Sequence, residues 1–513
     1  MIGQRRWLVL AMTFCCGMSS LALEMGAERL LAPYFGDSLY VWGILIGLVL
    51  VYLSIGYAIG GRVADRWPRP DVFFQIVLAT GFWIGVIPVL ATPILLAALH
   101  GFAVLSAGMV VATGVGVLLL FAVPTIVLGF ASPYATRLLM EEVGSGGGTA
   151  GRVYALSTAG SIVGVFLPVF VTIPTWGTRA TLVGLGVLLV LVSALALDPR
   201  RRWPAAGMLV VVLGTTLLLP PNIKPAVDGH VVFEGESKYN YIQVVRVGQE
   251  TELTLNEAQT VHSVYDPQVP LTGNEWDYPV VASAFASRQR SAPRPRRVAI
   301  LGLAAGTTAR ELTLAYGTQV HIDGVEEDPE IVSVGERYFH ETSPNLDIHI
   351  DDARYWLQTR PPGDRYDVIV VDAYRQPYIP FQLTTEQFFR LVRGHLAPGG
   401  VVVVNAGRTA TDYRLVSALA STMQPVFNGV FLADPPGSGN TEIYGTTAPT
   451  TLPVVRDNLG LIRAPLARQV AQEVLAESDL RRSPYHGAVY TDNLDPIEQL
   501  TDSVIFQFAT GAG

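Results

Sequence analysis

Seven apolar stretches in the first 220 residues constrain this 513-residue chain more than any other feature. Each is close to the roughly 20 residues that an α-helix needs to cross a bilayer, and glycine or proline is tolerated where membrane helices pack together. The first stretch follows two arginines as a signal sequence would, but no small-residue cleavage site ends it, so we interpret it as a retained anchor. The stretches cover residues 7–24, 40–60, 72–97, 103–130, 153–174, 180–197 and 204–219.

Arginines occur in every second connection between these stretches. The positive-inside rule makes those connections cytoplasmic, and seven crossings would then leave everything after residue 220 outside the cytoplasm. The last stretch is short and begins Trp203-Pro204, so it could also lie in the interface or re-enter, which leaves the side of the C-terminal half open. The arginines are Arg5 and Arg6, then Arg62, Arg66 and Arg69, then Arg137 and Arg152, and finally Arg200, Arg201 and Arg202.

Three charged residues, Glu24, Glu28 and Arg29, cluster at the end of the first stretch. An ionisable group inside a membrane is a functional hypothesis by default. A transporter, however, would place buried charges in the middle of several spans, and this sequence has almost none there. An ion pair at the membrane interface is therefore the simpler interpretation.

The two halves of the chain differ in charge. Residues 1–220 contain 12 arginines, no lysine and 8 acidic residues, whereas the remainder contains 23 basic and 35 acidic residues. Nucleic-acid binding needs clustered lysine and arginine. The acidic second half therefore argues against a nucleic-acid partner.

After residue 221 the pattern becomes that of a water-soluble protein. The runs NYIQVVRVG and TELTLNEAQ flank Gly248-Gln249-Glu250, which predicts a hairpin in a small β-rich domain. From residue 298 onward, five apolar strand cores alternate with helical segments, the pattern of a parallel doubly wound sheet that binds ligands at the carboxyl ends of its strands. The strand cores are 298–301, 320–325, 346–350, 368–371 and 401–404. The predicted domains are a transmembrane helical bundle of about seven spans (1–221), a small β-rich domain (222–290) and a Rossmann-like α/β domain (291–513).

Polar residues follow the predicted strands of the α/β domain. The first strand leads into RVAILGLAAGTTAREL, where Gly302 and Gly306 permit a tight turn and the close approach of a ligand. Glu326 stands about twenty residues later, where an acid typically binds ribose hydroxyls, and Asp352 and Asp372 end the next two strands. No lysine follows the loop, which excludes a P-loop. The chain also lacks a nucleophile elbow and any Cys/His spacing typical of a metal site, so no metal is predicted.

The order of motifs resembles that of a known family. ESKYNYIQV, LTLNEAQ, VAILGLAAGTTARE, VEEDP, DDAR, DAYRQPYIPFQLTTEQFF and LAPGGVVVVN follow one another over residues 232–410. This set resembles the spermidine synthases, that is, the polyamine aminopropyltransferases, and in particular the bacterial form fused to a membrane bundle. The later segments GNTEIYGTT and VYTDNLDPIEQL are also similar to the fused form.

The resemblance implies a methyltransferase-type Rossmann fold and an enzyme that transfers an aminopropyl group. Decarboxylated S-adenosylmethionine would be the co-substrate, no cofactor would be tightly bound, and Asp372 would be the catalytic base. The partners would be a small amine and membrane lipid, and a homodimer stays open. The implied donor-binding residues are Asn240, Gln259, Gly302, Gly306, Glu326, Asp352, Ala353 and Pro380, and the weaker acceptor-binding assignments are Tyr239, Asp277, Tyr374 and Arg375.

Several positions depart from the family pattern. Trp276-Asp277-Tyr278 stands for the family's Tyr-His-Glu, Ala305 for the aspartate of its glycine loop, and Arg375 for the second acid of its Asp-Ser-Ser-Asp motif. Asn240 replaces the glutamine of its Tyr-Gln motif. The missing acids are those expected to neutralise putrescine, and a buried arginine would repel a dication. We therefore expect a shifted amine acceptor, with Asp277, Glu275 or Glu257 in place of a lost acid.

Two other functions stay open at the level of sequence. The chain could be a methyltransferase that uses intact S-adenosylmethionine, with Arg375 pairing the donor carboxylate or an anionic acceptor. It could also be a membrane carrier whose soluble half senses a nucleoside or a polyamine. In all three cases we expect a multi-pass protein of the cell membrane. The charge rule favours a soluble half outside the cell, and the donor chemistry favours the cytoplasm.

Overall fold

The structure is a computed structural model in which the chain divides into two compact units. The first unit comprises Met1–Pro225 and Glu234–Tyr241, and the second comprises Ala226–Phe233 and Ile242–Gly513. The residues that the structure describes are 2–35, 39–104, 108–140, 146–199, 202–219, 222–256, 260–289, 291–375 and 378–510.

The first unit is a bundle of apolar helices. Its helices are α1 (Ile2–Phe35), α2 (Leu39–Arg66), α3 (Pro70–Val104), α4 (Gly108–Gly129), α5 (Ala131–Leu139), α6 (Gly146–Leu167), α7 (Ile173–Ala196) and α8 (Trp203–Thr215). A π-helical turn, Pro168–Thr172, joins α6 to α7, and a 3₁₀ turn, Thr216–Leu218, follows α8.

Five stretches among the described residues are long and apolar enough to cross a membrane. They are Arg6–Phe35, Val41–Arg66, Pro70–Ala98, Thr113–Leu139 and Gly146–Ala196, and a shorter apolar helix covers Trp203–Leu218. The fifth stretch contains two of the seven predicted segments. Its helical geometry is broken at Gly177, where φ is +80° and ψ is 166°.

Glycines allow the helices of the bundle to approach closely. A Cβ at Gly160 or Gly164 would lie 2.1 Å from a carbonyl oxygen of α1, that of Phe14 or Met18 respectively, so α6 runs parallel to α1 with the backbones in contact. A Cβ at Gly81 would lie 2.7 Å from Leu189 Cβ on α7. Small residues are the usual way for apolar helices to pack without a hydrophobic driving force between them.

The two ends of the bundle have different polar contacts. At one end Arg137 Nε donates to Asp65 Oδ1 at 3.1 Å, and the Tyr134 hydroxyl donates to the carbonyl of Trp67. Several of the arginines that indicated orientation lie in this region, whereas the side chain of Arg5 and residues Arg200 and Arg201 lie outside the described part.

At the other end of α1, the chain segments that follow α8 are bonded to the helices. Tyr34 donates its hydroxyl to the carbonyl of Ile223 at 2.8 Å, and a nitrogen of Arg179 donates to the same carbonyl at 3.1 Å. Arg29 lies 3.5 Å from Glu28 and also donates to the carbonyl of Lys238. These contacts fasten residues 223 and 238 to this end of the bundle.

The second unit contains most of a four-stranded sheet in the order β1-β2-β3-β4. Val247 pairs with Glu250 across the turn between β2 and β3, which confirms the predicted hairpin. Ile242, Val244, Leu253 and Leu255 are buried together in one cluster with Ala305 of the glycine loop and residues of the α/β part. The strands are β1 (His230–Glu236), β2 (Tyr241–Val247), β3 (Glu250–Leu255) and β4 (Val261–Tyr265).

The eight-stranded sheet has the order β12-β10-β11-β9-β8-β5-β6-β7. The five strands predicted from the sequence, β5 to β9, are present and parallel. The remaining three strands, β10, β11 and β12, each form antiparallel pairs with their neighbours. The prediction of a parallel sheet is therefore wrong for this edge. A parallel pair needs a crossover of a dozen or more residues, and the six residues between β10 and β11 permit only a hairpin. The strands are β5 (Arg297–Leu301), β6 (His321–Glu326), β7 (Leu346–Ile350), β8 (Tyr366–Val371), β9 (Leu396–Gly407), β10 (Gly429–Ala433), β11 (Asn440–Thr446) and β12 (Arg481–Arg482).

Helices cover both faces of this sheet, and each face has its own buried apolar cluster. The segment Glu275–Phe285, a 3₁₀ helix, lies on the face of the first cluster, together with Tyr444 and Phe431. The helices are α9 (Thr307–Tyr316), α10 (Pro329–Tyr338), α11 (Ala353–Thr359), α12 (Glu386–His395), α13 (Arg414–Met423), α14 (Leu452–Leu461), α15 (Pro465–Ala476) and α16 (Ile497–Thr510), with 3₁₀ turns at Gly317–Gln319 and Phe381–Leu383.

Because β5 and β8 approach each other closely, we expect the stability of the protein to be sensitive to substitution of Gly302. Its φ is +94°, and an added Cβ would lie 2.4 Å from the carbonyl oxygen of Asp372. Gly302→Ala should therefore lower the free energy of unfolding by more than about 2 kcal/mol, measured by thermal unfolding of the purified protein in detergent. Gly248, with φ +64° and no atom within 4 Å of an added Cβ, is the matched control, for which we expect about 1 kcal/mol. Equal losses in the two variants would contradict the close approach.

Candidate active site

The glycine loop at the end of β5 turns through three residues with positive φ. Gly302, Ala304 and Gly306 have φ values of 94°, 48° and 95°. Glu326, at the end of β6, accepts a hydrogen bond from the amide of Ala304 at 3.0 Å and another from the amide of Asp328 at 3.1 Å. The carboxyl of Glu326 thus lies directly against the loop, as a residue that binds ribose beside it should.

Burial raises the pKa of Glu326 to about 7, although its two backbone donors oppose the shift. The neighbouring charges of Asp328 and Glu327 add to the rise. A ligand that donates hydrogen bonds would stabilise the ionised carboxylate and lower this pKa.

The end of β7 supplies the next predicted acid. Asp352 caps α11 by accepting a hydrogen bond from the amide of Tyr355 at 2.8 Å, and Asp351 accepts one from the amide of Asp352 at 2.9 Å. Ala353 is the first residue of the helix and is buried. The capped helix fixes the backbone at 352–353, the position that the family resemblance assigns to the adenine.

Asp372 is the first residue after β8 and is partly buried. Its Oδ1 accepts a hydrogen bond from Asn405 Nδ2 at 2.8 Å. Burial raises the pKa of Asp372 to about 7, the bond from Asn405 opposes the rise, and the charge of Glu275 adds to it. The carboxyl of Asp372 therefore gains or loses a proton near neutral pH.

An acid that the sequence analysis did not select lies on the next strands. Glu442, on β11, is opposite Asn405 on β9 in the register of the sheet, and it is buried. Burial raises its pKa well above the ordinary value, and the charges of Asp372 and Glu275 raise it further. A glutamate inside the apolar strand of GNTEIYGTT was the available signal, because a charged residue in a central strand position needs a reason.

Glu275, named beforehand as one substitute for a lost acid, belongs to the same group. Its Oε2 accepts a hydrogen bond from the Ser438 hydroxyl at 2.9 Å, and its charge acts on both Asp372 and Glu442. Tyr374 lies beside them, with its hydroxyl donating to the carbonyl of Asn405 at 3.0 Å. Three carboxyls and a tyrosine therefore surround the end of β8.

Other predicted acceptor residues have different surroundings. Asp277 is buried and accepts hydrogen bonds from the amide and hydroxyl of Thr272 at 2.9 and 2.7 Å, so its carboxylate holds that turn. Arg375 is exposed and forms an ion pair with Glu327 at 3.3 Å. The assignment of these two to the acceptor stays a prediction, without a contact to Asp372 to support it.

The remaining predicted residues are located as follows. Pro380 precedes the 3₁₀ turn Phe381–Leu383. Tyr239 and Asn240 belong to the first unit, and their roles stay predictions. Gln259 and Glu257 lie outside the described residues.

A group of potential metal ligands lies at the other ends of the strands. Among the described residues, His321, Asp323 and Asp347 bring ligand atoms within 4.8 Å of one another. Asp323 already accepts hydrogen bonds from Arg297 at 3.2 Å and Tyr366 at 3.0 Å. A metal ion would have to displace the guanidinium of Arg297, so this group is explained by its internal ion pairs.

The sequence of the α/β part matches a known domain family. Residues 286–433 match the spermine/spermidine synthase domain. This range contains the glycine loop, Glu326, Asp352 and Asp372. The match supports the resemblance to the spermidine synthases over this part of the chain.

Relatives of the synthase domain include both partial and long matches. A probable polyamine aminopropyl transferase from Bifidobacterium longum (strain NCC 2705) is 37% identical over 238 residues, which cover 46% of this chain and 51% of the relative. A polyamine aminopropyltransferase from Corynebacterium efficiens is 24% identical over 446 residues, which cover 82% of this chain and 80% of the relative. The chain thus spans about half of the first relative, whereas the second match extends into the helical unit.

Solved structures give a weaker likeness. The crystal structure of a probable spermidine synthase from Corynebacterium glutamicum is 20% identical, covers 51% of this chain and 97% of that chain, and has a TM-score of 0.37. The resemblance to the spermidine synthases rests on the sequence matches.

The buried carboxyl of Asp372 predicts a pH-dependent stability. With a pKa of about 7 in the folded protein and an ordinary value of 3.8, Asp372 holds a proton when folded that the unfolded chain has released. Its contribution to stability is therefore present below pH 3.8 and is lost as the pH rises through about 7. Asp372→Asn should raise the free energy of unfolding by at least about 1 kcal/mol at pH 8 and by less at pH 5.

Thermal unfolding in detergent at the two pH values measures this difference. Asp479→Asn, at a side chain that is 72% exposed, is the control and should show no such pH dependence. A gain of the same size at both pH values for Asp372→Asn would contradict the raised pKa.

Proposed function

We propose that this protein is a polyamine aminopropyltransferase of the spermidine synthase type. The observation that carries the proposal is the carboxyl of Asp372, which lies at the end of β8 inside a spermine/spermidine synthase domain with a pKa near neutrality. The donor would be decarboxylated S-adenosylmethionine, and the acceptor a putrescine-like amine. The names of the relatives support the same activity.

The reaction needs a deprotonated amine and a good leaving group. Asp372 takes a proton from the acceptor ammonium, and the free amine attacks the propyl carbon bonded to the sulfonium. A C–N bond forms as the C–S bond breaks, and its electron pair stays on sulfur, which leaves as a neutral thioether. No acid is required at the leaving group, so alignment and proton removal are the protein's main contributions.

The donor side of the site is supported by the residues around the glycine loop. Glu326 would hold the ribose hydroxyls, because its carboxylate lies against Ala304 of the loop. Gly302 and Gly306 keep that surface free of side chains, and Asp352 with Ala353 would border the adenine at the start of α11. We retain Asn240, Gln259 and Pro380 as further donor-binding residues, and Tyr239, Asp277 and Tyr374 as weaker acceptor-binding ones, on the family resemblance alone.

The methyltransferase alternative depends on Arg375. In that reaction the donor keeps its carboxylate, which Arg375 would pair. The ion pair of Arg375 with Glu327 and the surrounding acids favour a cationic acceptor instead. A carrier with a sensing domain would not need the basic carboxyl of Asp372.

Asp372→Asn tests the proposed base. We expect turnover of a labelled donor with a panel of amines to fall by at least about 100-fold, because general-base catalysis typically contributes that much. Calorimetric titration should show unchanged binding of decarboxylated S-adenosylmethionine. Unchanged turnover would mean another base, and tighter binding of the carboxylated donor to the unsubstituted protein would favour methyl transfer.

We also propose that seven segments of the helical unit cross the membrane, in a multi-pass protein of the cell membrane with domain boundaries near 1–221, 222–290 and 291–513. Support comes from the break at Gly177, which makes two segments of the fifth apolar stretch. The contacts at the two ends of α8 also support the proposal. Arg202, before α8, donates to the carbonyl of Leu197 at the end of α7, and Ile223, after it, accepts from Tyr34 at the end of α1.

The length of the last segment agrees with a crossing. Thirteen α-helical and three 3₁₀ residues extend roughly 26 Å, close to the hydrocarbon thickness of about 30 Å. Val212 packs against Gly85 on the way. With the arginine-rich connections in the cytoplasm, the chain would leave the bundle on the opposite side, and the donor would have to be supplied there.

Cysteine labelling tests this topology in intact cells. In a background without Cys15 and Cys16, a membrane-impermeant maleimide should label Gly363→Cys, in an exposed turn of the second unit, and should not label Pro68→Cys, between α2 and α3. Both should react after permeabilisation. The reverse pattern would place the second unit in the cytoplasm and would mean that Trp203–Leu218 does not cross.

A further inference from the structure

The carboxyl of Glu442 differs from the other acids of the site in its contacts. It is 2% exposed, and among the described residues no group donates a hydrogen bond to it, whereas Asp372 has Asn405 and Glu275 has Ser438. A buried carboxyl without a donor is costly. A ligand at this position would donate the hydrogen bond that the carboxyl of Glu442 lacks.

The charges around Glu442 all have the same sign. The groups that shift the pKa of Glu442 are the carboxyls of Asp372 and Glu275 together with burial, and no basic side chain is among them. The same holds for Asp372, apart from the neutral donor Asn405. Buried carboxylates are normally paired with a cation, and this group has none from the described part of the chain.

Asn405 gives an independent indication of a ligand. Its side chain is 9% exposed and lies between Asp372 and Glu442, bonded to the first through Nδ2 and opposite the second in the sheet. Its Oδ1 is buried and has no hydrogen-bond partner among the described residues. Unsatisfied acceptors thus occur together here, and an ammonium group offers three donors and no acceptor.

Aromatic side chains line the space beside these acceptors. Tyr374 is held over β9 by its bond to the carbonyl of Asn405. Two residues along β11 from Glu442, on the same face, Tyr444 stacks on Phe285 with ring centroids 3.6 Å apart. Such rings provide apolar surroundings for methylene groups.

We propose that Glu442, assisted by Glu275 and Asn405 Oδ1, binds a second ammonium group of the acceptor, the one that is not the nucleophile. The inference rests on the proposed function and deepens it, because it makes the acceptor a di- or polyamine. Asp372 and Glu442 stand on strands separated only by β9, so their backbones are roughly 10 Å apart. A short chain of methylenes connects the two positions.

Glu442 thereby takes the place of the acid that Arg375 replaces. Arg375 is engaged with Glu327 outside this group, so its charge does not oppose the acceptor at β11. The specificity for a second positive charge comes from β11, on the side of the sheet that the last strands of the chain form.

Substitution of Glu442 tests the inference with two probes, putrescine and n-butylamine. Calorimetric titration of the full-length protein in detergent should show that putrescine binds more tightly than n-butylamine. Glu442→Gln should weaken putrescine binding about 10- to 100-fold, the effect of losing one charge-assisted hydrogen bond, and leave n-butylamine binding unchanged. In turnover, the same variant should raise KM for putrescine far more than it lowers kcat.

Controls separate this result from misfolding and from failure of the proposed function. Glu336→Gln, at an exposed residue of α10, should change neither affinity, and Glu275→Gln should weaken putrescine binding in the same direction if Glu442→Gln does not fold. Putrescine binding that depends on Glu442 without any aminopropyl transfer would overturn the proposed function alone. Equal putrescine affinity in Glu442→Gln and the unsubstituted protein, or no binding of either amine, would overturn this inference.

Discussion

The close contact between the ends of β5 and β8 is the constraint on which the site depends. Gly302 passes so near the carbonyl of Asp372 that no side chain fits between them, and the amide of Asp372 donates to the carbonyl of Leu301 at 2.9 Å. The glycine loop and Asp372 are therefore fixed to each other through backbone. An in-line transfer needs this kind of fixed geometry between the bound donor and the group that prepares the nucleophile.

Around that contact the described part of the chain brings several carboxyls together. Glu326 on the donor side and Asp372, Glu275 and Glu442 on the acceptor side are carboxyls whose pKa values are raised, first of all by burial. The arrangement lowers the stability of the protein at neutral pH. Active sites commonly carry such a cost, and here the proposed substrates, a sulfonium and an ammonium, are the cations that would relieve it.

The helical unit contains polar contacts of another kind. Arg29 and Arg179 use their guanidinium groups to bind carbonyls of residues 238 and 223, and Glu236 accepts hydrogen bonds from the amide and hydroxyl of Thr178. The charges near the end of α1 thus fasten the segments that follow α8. This structural role accounts for Arg29 without a transport function.

Local patterns in the sequence were enough to predict the main helices and strands and their order along the chain. Apolar length indicated the helices of the first unit, and alternation of strand and helix predicted β5 to β9, with the bounds of β9 several residues too short, because period and length are local properties of the chain. The same local patterns located Gly302, Glu326, Asp352 and Asp372 at strand ends, where parallel connections must bring them to one edge.

Which acidic side chains lie close together depends on the tertiary pairing of the strands. Glu442 is seventy residues from Asp372 and reaches it through an antiparallel return, a pairing that no local pattern specifies. Asp277, two residues after Glu275 in the same 3₁₀ helix, instead accepts a hydrogen bond from Thr272, since residues two apart in a 3₁₀ helix point in different directions. The sequence also left the path of Trp203–Leu218 open, because an apolar helix of this length suits either a crossing or an interfacial position.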